Sequence, residues 1–340
     1  MAFSQRVLTT TQDKIMPYVV DTILKGNVFA TRMLSKTKKW SGESMKFPIK
    51  YQKGVGGSSF SGFDILSTAA SDTRVNLSFD FKSYSTPISL PLTELTVNAV
   101  NETKVIDLMG VECKSKAEDM ADDIGTLFYS DGTGNAGKDF LGLSAIVDDG
   151  TNAATYGGQT RAAFPVLNST VTASGGVLNL AKMETLYNTI TDGAQQPTLG
   201  LVTPTIFGLY AQLLTPQERI YKDEPMMKGG AIGGTGFTAL YFKGFPIISD
   251  RKCTSQTMYF INEDFLNFYS APLQGSSPIK YKAVDIKGND YSDVLGLGFT
   301  WSDFIVPTNQ AAYIAHVYLC GELISENPGR HGKLTGITTI

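Results

Sequence analysis

Hydrophobic and polar residues alternate strictly in two stretches near the start of the chain, SMKFPIKYQK at 44–53 and RVNLSFDFKSY at 74–84. A period of two residues predicts β-strands that each have one apolar face. Pro48 cannot donate a hydrogen bond to a neighbouring strand, so it places the first strand at the edge of a sheet. A connection of roughly twenty residues, which includes the stretch GVGGSSFSG, joins the two strands. The pattern therefore predicts a long two-stranded β-ribbon.

The apolar face of this ribbon needs a cover. An isolated two-stranded ribbon is at best marginally stable in water, so its apolar face must lie against another surface. No helix pattern flanks the ribbon closely in sequence. Two covers stay open at this point: a later part of the same chain, or a neighbouring copy of the protein.

A different period dominates residues 98–130, where apolar side chains recur at steps of three and four. This spacing predicts an amphipathic helix with a charged opposite face. About 30 residues at ~1.5 Å each give a length of about 45 Å, well above the usual three turns. The apolar positions are Ile106, Met109, Cys113, Ala117, Met120, Ala121, Ile124, Leu127 and Phe128. The charged positions are Glu112, Lys114, Lys116, Glu118, Asp119, Asp122 and Asp123.

Beyond residue 150 the pattern predicts shorter elements. Helices are expected at 178–190 and 205–214, and a glycine-rich loop is expected at 222–238. Strands are expected in LGLVTP, GFPIISD, TMYFINED, FLNFYSAP, IKYKAV, VLGLGFTWSDFIV and QAAYIAHVYLCGELI. The chain as a whole is therefore expected to have an α+β fold, without internal repeats and without a long interdomain linker.

Composition narrows the class of protein. The chain has 340 residues, a net charge of −3 and 18% charged residues, which is a globular composition with ample apolar material. Neither a run of 18 apolar residues nor a signal-peptide pattern is present, so no transmembrane helix and no secretory signal are expected. The three cysteines, Cys113, Cys253 and Cys320, are isolated. Isolated cysteines argue against a disulfide framework and favour synthesis in a reducing compartment.

Basic residues are concentrated between Lys25 and Lys53, where only Glu43 opposes them. A solvated surface is the simpler interpretation of such a segment. The alternative is contact with an acidic surface, either nucleic acid or another subunit. The basic residues are Lys25, Arg32, Lys36, Lys38, Lys39, Lys46, Lys50 and Lys53.

The stretch GTGNAGKD at 132–139 contains most of a P-loop, the motif that cradles nucleotide phosphates with backbone amides. The motif needs Ser or Thr after the lysine, and Asp139 stands there instead. It also needs a buried strand before the loop and a helix after it, whereas here a helix pattern comes first. We expect these glycines to end the long helix and reverse the chain.

Few residues suit catalysis or metal binding. His316 lies in a strand pattern and is expected to be a sheet residue, whereas His331 lies in a turn beside two cations and is expected to be exposed. No metal-binding or nucleophile motif is present, so no catalytic, cofactor-binding or metal-binding residue and no cofactor is predicted. A carboxylate pair formed by distant residues stays open. Carboxylates adjacent in sequence should point to different faces, namely Asp122–Asp123, Asp148–Asp149 and Glu263–Asp264.

The order of these parts resembles the major capsid protein of tailed bacteriophages, the Hong Kong 97-like family. Three stretches are similar to characteristic passages of that family, and they lie in the same order along nearly the whole chain. They are FYSDGTGNAGKDFLGLSAIVDDG at 128–150, after the long helix; YGGQTRAAFPVLN at 156–168, at the entry to a central domain; and CGELISENPGRHGKLTGI at 320–337, as a closing strand and turn.

The resemblance implies a Hong Kong 97-like capsid fold with four parts. An N-terminal arm would occupy 1–40, and an extended β-ribbon, the E-loop, would occupy 41–84. A P-domain would comprise 85–165 and 306–340, with the spine helix at about 98–130. A mixed α/β A-domain would occupy 166–305.

The resemblance also implies a structural role without catalysis. The chain would assemble with itself into pentamers and hexamers of an icosahedral phage head, the virion shell around double-stranded DNA. The E-loop and the arm would contact neighbouring subunits. Further implied partners are a portal, a separate scaffold or decoration protein, and packaged DNA bound non-specifically, with no membrane. Assembly would take place in the cytoplasm of the host bacterium.

Two features qualify the resemblance. No long assembly domain precedes the arm, so any scaffold is expected to be a separate protein. Some relatives cross-link their chains through E-loop lysines, and Lys46, Lys50 and Lys53 lie in that range, but cross-linking is not predicted. Two other functions stay open: an encapsulin-like compartment that encloses a cargo protein, and a nucleotide-binding enzyme that uses GTGNAGKD.

Overall fold

The computed structural model describes residues 27–54, 57–66, 70–94, 112, 115–116, 118–120, 122–173, 175–214, 239–274, 276–284, 290–302 and 304–338. Five helices are named here: α1 (Val28–Leu34), α2 (described residues between 112 and 127), α3 (Leu143–Ile146), α4 (Leu180–Ile190) and α5 (Pro204–Leu214). The strands are β1 (Lys38–Lys39), β2 (Ser44–Lys50), β3 (Arg74–Asp80), β4 (Lys82–Pro91), β5 (Thr155–Tyr156), β6 (Gln159–Thr160), β7 (Thr170–Thr172), β8 (Leu199–Val202), β9 (Ala239–Phe242), β10 (Phe245–Ser249), β11 (Met258–Ile261), β12 (Leu266–Ser270), β13 (Ser277–Val284), β14 (Asp290–Trp301), β15 (Ala312–Ser325) and β16 (Gly332–Leu334). The predicted α+β class is confirmed.

The first large sheet is organised around β15, the longest strand. Strand β4 pairs antiparallel with β15 from Ala312↔Pro91 to Gly321↔Lys82, and β12 pairs with its last five residues. Strands β14 and β13 extend the sheet, and β1 adds a short parallel edge beside β12. Gly321 lies where β4, β15 and β12 meet; its φ is +150°, and a Cβ there would lie 2.1 Å from the Tyr269 carbonyl oxygen. Only glycine fits this junction.

The second large sheet has the order β7-β16-β11-β8-β10-β9, and its strands β16, β11 and β8 are buried on both faces. In β11, Met258 and Phe260 belong to the core beneath helices α4 and α5, whereas Tyr259 and Ile261 belong to the main core shared with the first sheet. This alternation follows from the two-residue period of a strand. The sheet is therefore a middle layer that joins two hydrophobic cores.

Helix α1, at the end of the predicted arm, is fixed to its own subunit. Phe29 is fully buried, and its backbone N–H donates to Asp250 Oδ2 at 3.2 Å. The Arg32 guanidinium binds the Glu263 carboxylate through two hydrogen bonds, Nε–Oε1 at 2.5 Å and Nη2–Oε2 at 2.8 Å. Part of the basic segment is thus paired within the chain rather than solvated.

The described part of helix α2 has the predicted two faces. Met120, Ile124 and Phe128, the last just beyond the helix, are buried, whereas Asp119 and Asp122 are exposed. The predicted residues 98–111 of this helix and the glycine-rich loop at 222–238 lie outside the described residues. The other predicted helices are confirmed at 180–190 and 204–214, and the predicted strands are present as β8 and β10 to β15.

Candidate intersubunit surface and buried polar sites

The predicted β-ribbon is formed by β2 and β3, which pair antiparallel from Ser44↔Asp80 to Lys50↔Arg74 without a register shift. The two strands form a two-stranded sheet of their own. Pro48 therefore lies on a strand that has one partner among the described strands, as its missing N–H predicts.

The base of the ribbon is covered by its own chain. The ring centroids of Phe79 and Tyr156 are 5.2 Å apart, and those of Phe47 and Tyr269 are 5.4 Å apart. The Ser78 N–H donates to the Gly157 carbonyl oxygen at 2.9 Å. Of the two covers left open by the sequence, a later part of the same chain is therefore the one observed here.

A glycine is required for this contact. Gly157 has a φ of +56°, and a Cβ at that position would lie 2.8 Å from the Leu77 Cβ atom. The short hairpin of β5 and β6 can lie directly on the ribbon because this position lacks a side chain. Leu77 is fully buried as a result.

The connection between β2 and β3 is different, because its apolar side chains are exposed. The Ser61 N–H donates to Asp64 Oδ2 at 2.8 Å and the Asp64 N–H donates to the Ser61 carbonyl oxygen at 3.1 Å, which together form a tight turn. Clustered exposed apolar side chains on a soluble chain mark interaction surfaces. We call this group the ribbon tip; it comprises Phe60, Phe63, Ile65 and Leu66, which are 55% to 106% exposed.

The glycine-rich turn at 132–139 does not have P-loop geometry. Helix α2 precedes it and the short helix α3 follows it. Asn135 and Ala136 adopt left-handed φ values of 49° and 57°, and the Gly137 N–H donates to the Thr133 carbonyl oxygen at 3.2 Å. The Leu143 N–H then donates to the Phe128 carbonyl oxygen at 2.8 Å, so the chain folds back on the end of the helix. The predicted role of these glycines as a chain reversal is confirmed.

The prediction that His331 is exposed is wrong, because the side chain is fully buried. The Asn262 backbone N–H donates to His331 Nδ1 at 3.2 Å, and His331 Nε2 lies 2.8 Å from Ser325 Oγ. Since Nδ1 accepts, the proton is on Nε2, which donates to Ser325. Burial lowers the pKa of His331 to about 3. This tautomer cannot remove a proton from Ser325, so the pair is not a nucleophile and its base.

A second buried polar group lies beside this histidine and was missed by the sequence analysis. Lys333 Nζ is 3.1 Å from Asp148 Oδ1, and both side chains are almost completely buried. Burial alone raises the pKa of Asp148, but the N–H groups of Ala153 and Asn152 and the Lys333 ammonium lower it below its ordinary value. The pair joins residues 185 positions apart. No local pattern indicates such a contact.

Arg161 is the third member of this buried group. Its two Nη atoms donate to the carbonyl oxygens of Ala145, Ile146, Asp148 and Leu167. The guanidinium also lies 5.2 Å from the centroid of the Tyr156 ring. Arg161 therefore ties the turn after helix α3 to the hairpin that covers the ribbon.

Adjacent carboxylates in two of the three predicted pairs point to different environments. Asp148 and Glu263 are buried, whereas Asp149 and Asp264 are exposed. Asp122 and Asp123 are both exposed on α2, where they contact Lys252 and the Tyr84 hydroxyl, respectively. His316 lies on β15, as predicted, with its ring stacked on that of Tyr318.

The described residues hold no cluster of His, Cys, Asp and Glu side chains that is suited to a metal ion. None of their helices is both long and apolar enough to cross a membrane. Cys253 and Cys320 are free and buried.

Comparisons of sequence find no matching family model and no matching curated protein. Comparisons of structure find shell proteins. The capsid asymmetric unit of cyanophage A-1(L) is similar with a TM-score of 0.65 at 16% identity, over 92% of this chain and 93% of that chain. The capsid of a native GTA particle is similar with a TM-score of 0.53 at 9% identity, over 91% and 90%. The SrpI encapsulin complex of Synechococcus elongatus PCC 7942 is similar with a TM-score of 0.52 at 10% identity, over 91% and 87%.

These similarities extend over nearly the whole chain, and the solved structures are capsid and encapsulin subunits rather than enzymes. The ribbon and the described part of helix α2 occur here in the order that the sequence resemblance implied. The chain has the Hong Kong 97-like fold of phage capsid proteins.

Proposed function

We propose that the chain is a major capsid protein that assembles with copies of itself into the head of a tailed bacteriophage. One observation carries this proposal beyond the fold. The ribbon is fixed at its base by the subunit's own residues, while its tip presents four exposed apolar side chains. A surface of this kind is unfavourable in water and suits a second protein surface.

The tip and its binding surface would be different patches, so the contact between copies is heterologous. Heterologous contacts close into rings when the rotation between copies permits. Pentamers and hexamers of an icosahedral shell are such rings, with double-stranded DNA inside. Within each subunit we propose the arm, E-loop, P-domain and A-domain with the boundaries given above, and no catalytic, cofactor or metal site.

The further partners of the shell belong to the same proposal. We propose that a separate scaffold or decoration protein and a portal complete the head, that packaged DNA is bound without sequence specificity, and that assembly occurs in the cytoplasm of the host bacterium. The strands β12 to β14, although within 166–305, join the sheet of β15. Strand β16, within 306–340, joins the other sheet. The proposed P- and A-domains would therefore share strands across their boundary.

An encapsulin-like compartment is the second candidate, because the SrpI encapsulin complex has a similar fold over 91% of this chain. The cyanophage A-1(L) capsid unit is more similar, with a TM-score of 0.65 against 0.52, which favours a phage capsid. The two candidates differ in what the shell encloses.

The size of the purified protein tests the proposal. We expect light scattering and negative-stain microscopy of the same fraction to show rings or closed shells. Subunits that stay monomeric or dimeric, alone and with the proteins encoded beside them, would contradict it. Nuclease treatment and gel analysis of isolated shells would then distinguish enclosed DNA from enclosed protein.

A further inference from the structure

The ribbon joins the first large sheet at a single residue. Strand β3 pairs with β2 up to Asp80, and β4 begins at Lys82 and pairs with β15, so Phe81 alone separates two different pairing partners. The ring centroids of Phe81 and Trp40 are 5.4 Å apart. Trp40 stands where the chain approaches β2, the other strand of the ribbon. We call Trp40, Phe81 and Lys82 the ribbon root.

Ring contacts by themselves leave the direction of the ribbon loosely specified. Aromatic pairs are favourable in several relative orientations, at centroid separations of about 4.5–7 Å. The ring pairs at the root and at the base of the ribbon are tilted or T-shaped contacts of this kind. The strand ladder does not continue across Phe81, because the hydrogen-bonded partner changes there. A directional contact at the root would therefore fix the angle between the ribbon and the first large sheet.

The Lys82 ammonium supplies such a contact. Its Nζ lies 3.0 Å from Glu322 Oε2 and donates to the Asp139 carbonyl oxygen at 2.6 Å. Glu322 Oε1 in turn accepts from the backbone N–H groups of Leu141, at 2.5 Å, and Leu323, at 3.2 Å. The pair thus joins three segments, namely the start of β4, strand β15 and the chain that leaves the glycine-rich turn.

This ion pair is buried at a cost. Only 3% of the Glu322 side chain and 18% of the Lys82 side chain are exposed. Burial raises the pKa of Glu322, and the Lys82 ammonium and the backbone N–H donors only partly offset that effect. Replacing both partners of a buried ion pair by uncharged groups is often neutral or even stabilising, whereas buried ionic groups can specify one arrangement over others. A role in fixing direction therefore explains the pair better than a role in stability.

We propose that the Lys82–Glu322 pair is a latch that sets the direction of the ribbon relative to the first large sheet, and so positions the ribbon tip for contact with another copy. This inference rests on the proposed function and adds a positioning pair to it. A segment that is already held in its bound direction loses less conformational entropy on association, which strengthens binding. A subunit with a latched ribbon therefore assembles at a lower concentration than one with a free ribbon.

Removal of both charges tests the latch. The latch variant is Lys82→Met with Glu322→Gln, which keeps similar side-chain lengths and retains an acceptor for the N–H groups that Glu322 binds. The matched control, Lys38→Met with Glu326→Gln, makes the same changes in a pair that is 46% and 36% exposed. The control pair lies beside Tyr269, under the base of the ribbon, and glutamine retains an acceptor for the Tyr269 hydroxyl.

Three measurements separate direction, stability and assembly. Spin labels on azide-bearing residues that replace Ser59 and Ser89 leave the native cysteines unlabelled. Ser59 lies in the connection between β2 and β3, Ser89 lies on β4, and both are exposed. Pulsed electron paramagnetic resonance of the unassembled subunit then gives the distribution of distances between the ribbon and the first large sheet. Urea denaturation and light scattering of the unlabelled chains give the unfolding midpoint and the concentration for half-assembly.

We expect the latch variant to keep the wild-type urea midpoint, to widen the distance distribution and to raise the half-assembly concentration by about tenfold. The control should match the wild type in all three measurements. Glu322→Gln alone should widen the distribution in the same way, and it provides the test if the double variant does not fold.

A latch variant with the wild-type distance distribution would overturn the inference and leave the proposed function intact. A widened distribution with unchanged assembly would overturn the positioning role in the same way. A wild-type chain that never multimerises would overturn the proposed function, whereas a narrow wild-type distribution that widens in the latch variant would still support the latch.

Discussion

Asp148 and Lys333 form an ion pair in which 0% and 4% of the two side chains are exposed. Removing one partner of such a pair leaves an uncompensated buried charge, which is more costly than the loss of the attraction itself. Removal of Lys333 would leave the buried Asp148 carboxylate with its N–H donors from Gly150, Asn152 and Ala153 but without the ammonium that neutralises it.

Replacement of Lys333 by methionine is therefore expected to lower the free energy of unfolding by about 3–5 kcal/mol. Urea denaturation of the unassembled subunit measures the change. The control Lys243→Met removes a surface pair with Glu184 and should change it by less than about 1 kcal/mol. Equal effects of both substitutions would contradict the role assigned to burial.

His331 makes stability depend on pH. Its pKa is about 3 in the folded chain and about 6.5 when exposed, so the unfolded chain binds more protons between these values. Stability from this group is therefore complete above about pH 6.5 and is lost as the pH falls toward 3. Protonation of His331 would put a hydrogen on Nδ1, which could then no longer accept the hydrogen bond from the Asn262 N–H.

The variant His331→Gln should lose this component of the acid sensitivity, because an amide can still donate to Ser325 Oγ but does not titrate. Denaturation midpoints from pH 7 to pH 4 for wild type and variant give the difference. The variant His316→Gln retains His331 and should keep the wild-type slope. If the His331→Gln variant kept the wild-type dependence of the denaturation midpoint on pH, His331 would not control acid stability.

At the scale of elements, the ribbon divides into an anchored base and an exposed tip. Aromatic contacts to Tyr156 and Tyr269 hold the base, and Tyr51, where β2 leads into the connection, contacts Phe164. The apolar side chains of the tip stay exposed in the subunit, and we propose that a neighbouring copy covers them. Changes at the tip should thus affect assembly without affecting folding.

The double substitution Phe63→Ser with Ile65→Ser tests this division. We expect an unchanged unfolding midpoint of the subunit and at least a tenfold loss of assembled material, since each buried large apolar side chain contributes about 1.5–3 kcal/mol. Val177→Ser with Leu180→Ser changes two other exposed apolar residues and serves as the control. Normal shells from the tip variant would refute the assignment of the tip as a contact between copies.

At the scale of the whole molecule, the two sheets are linked where the chain passes from β15 of the first sheet to β16 of the second. Strand β15 is central to the first sheet, and the next strand, β16, enters the second between β7 and β11. Ser325 and His331 lie at this crossing, and Asn262 lies between β11 and β12. The buried polar contacts therefore fix the two sheets to each other.

Local periodicity determined much of the architecture. The period of two in 44–50 and 74–80 predicted the ribbon and its edge proline, and the three-to-four spacing up to Phe128 predicted the amphipathic helix. These patterns are local because each side chain's direction follows from the backbone period. The glycines at 132–137 likewise indicated a chain reversal, since their order relative to the helix excluded a P-loop.

The tertiary structure alone decided the rest. His331 sits in a polar turn that the sequence marks as exposed, yet strands from both sheets bury it. Lys333 and Asp148 are 185 positions apart, and the ribbon's cover comes from Tyr156 and Tyr269, far along the chain. Sequence periodicity specifies which face of an element is apolar, but not which distant element packs on that face, because that choice depends on the combined packing of all elements.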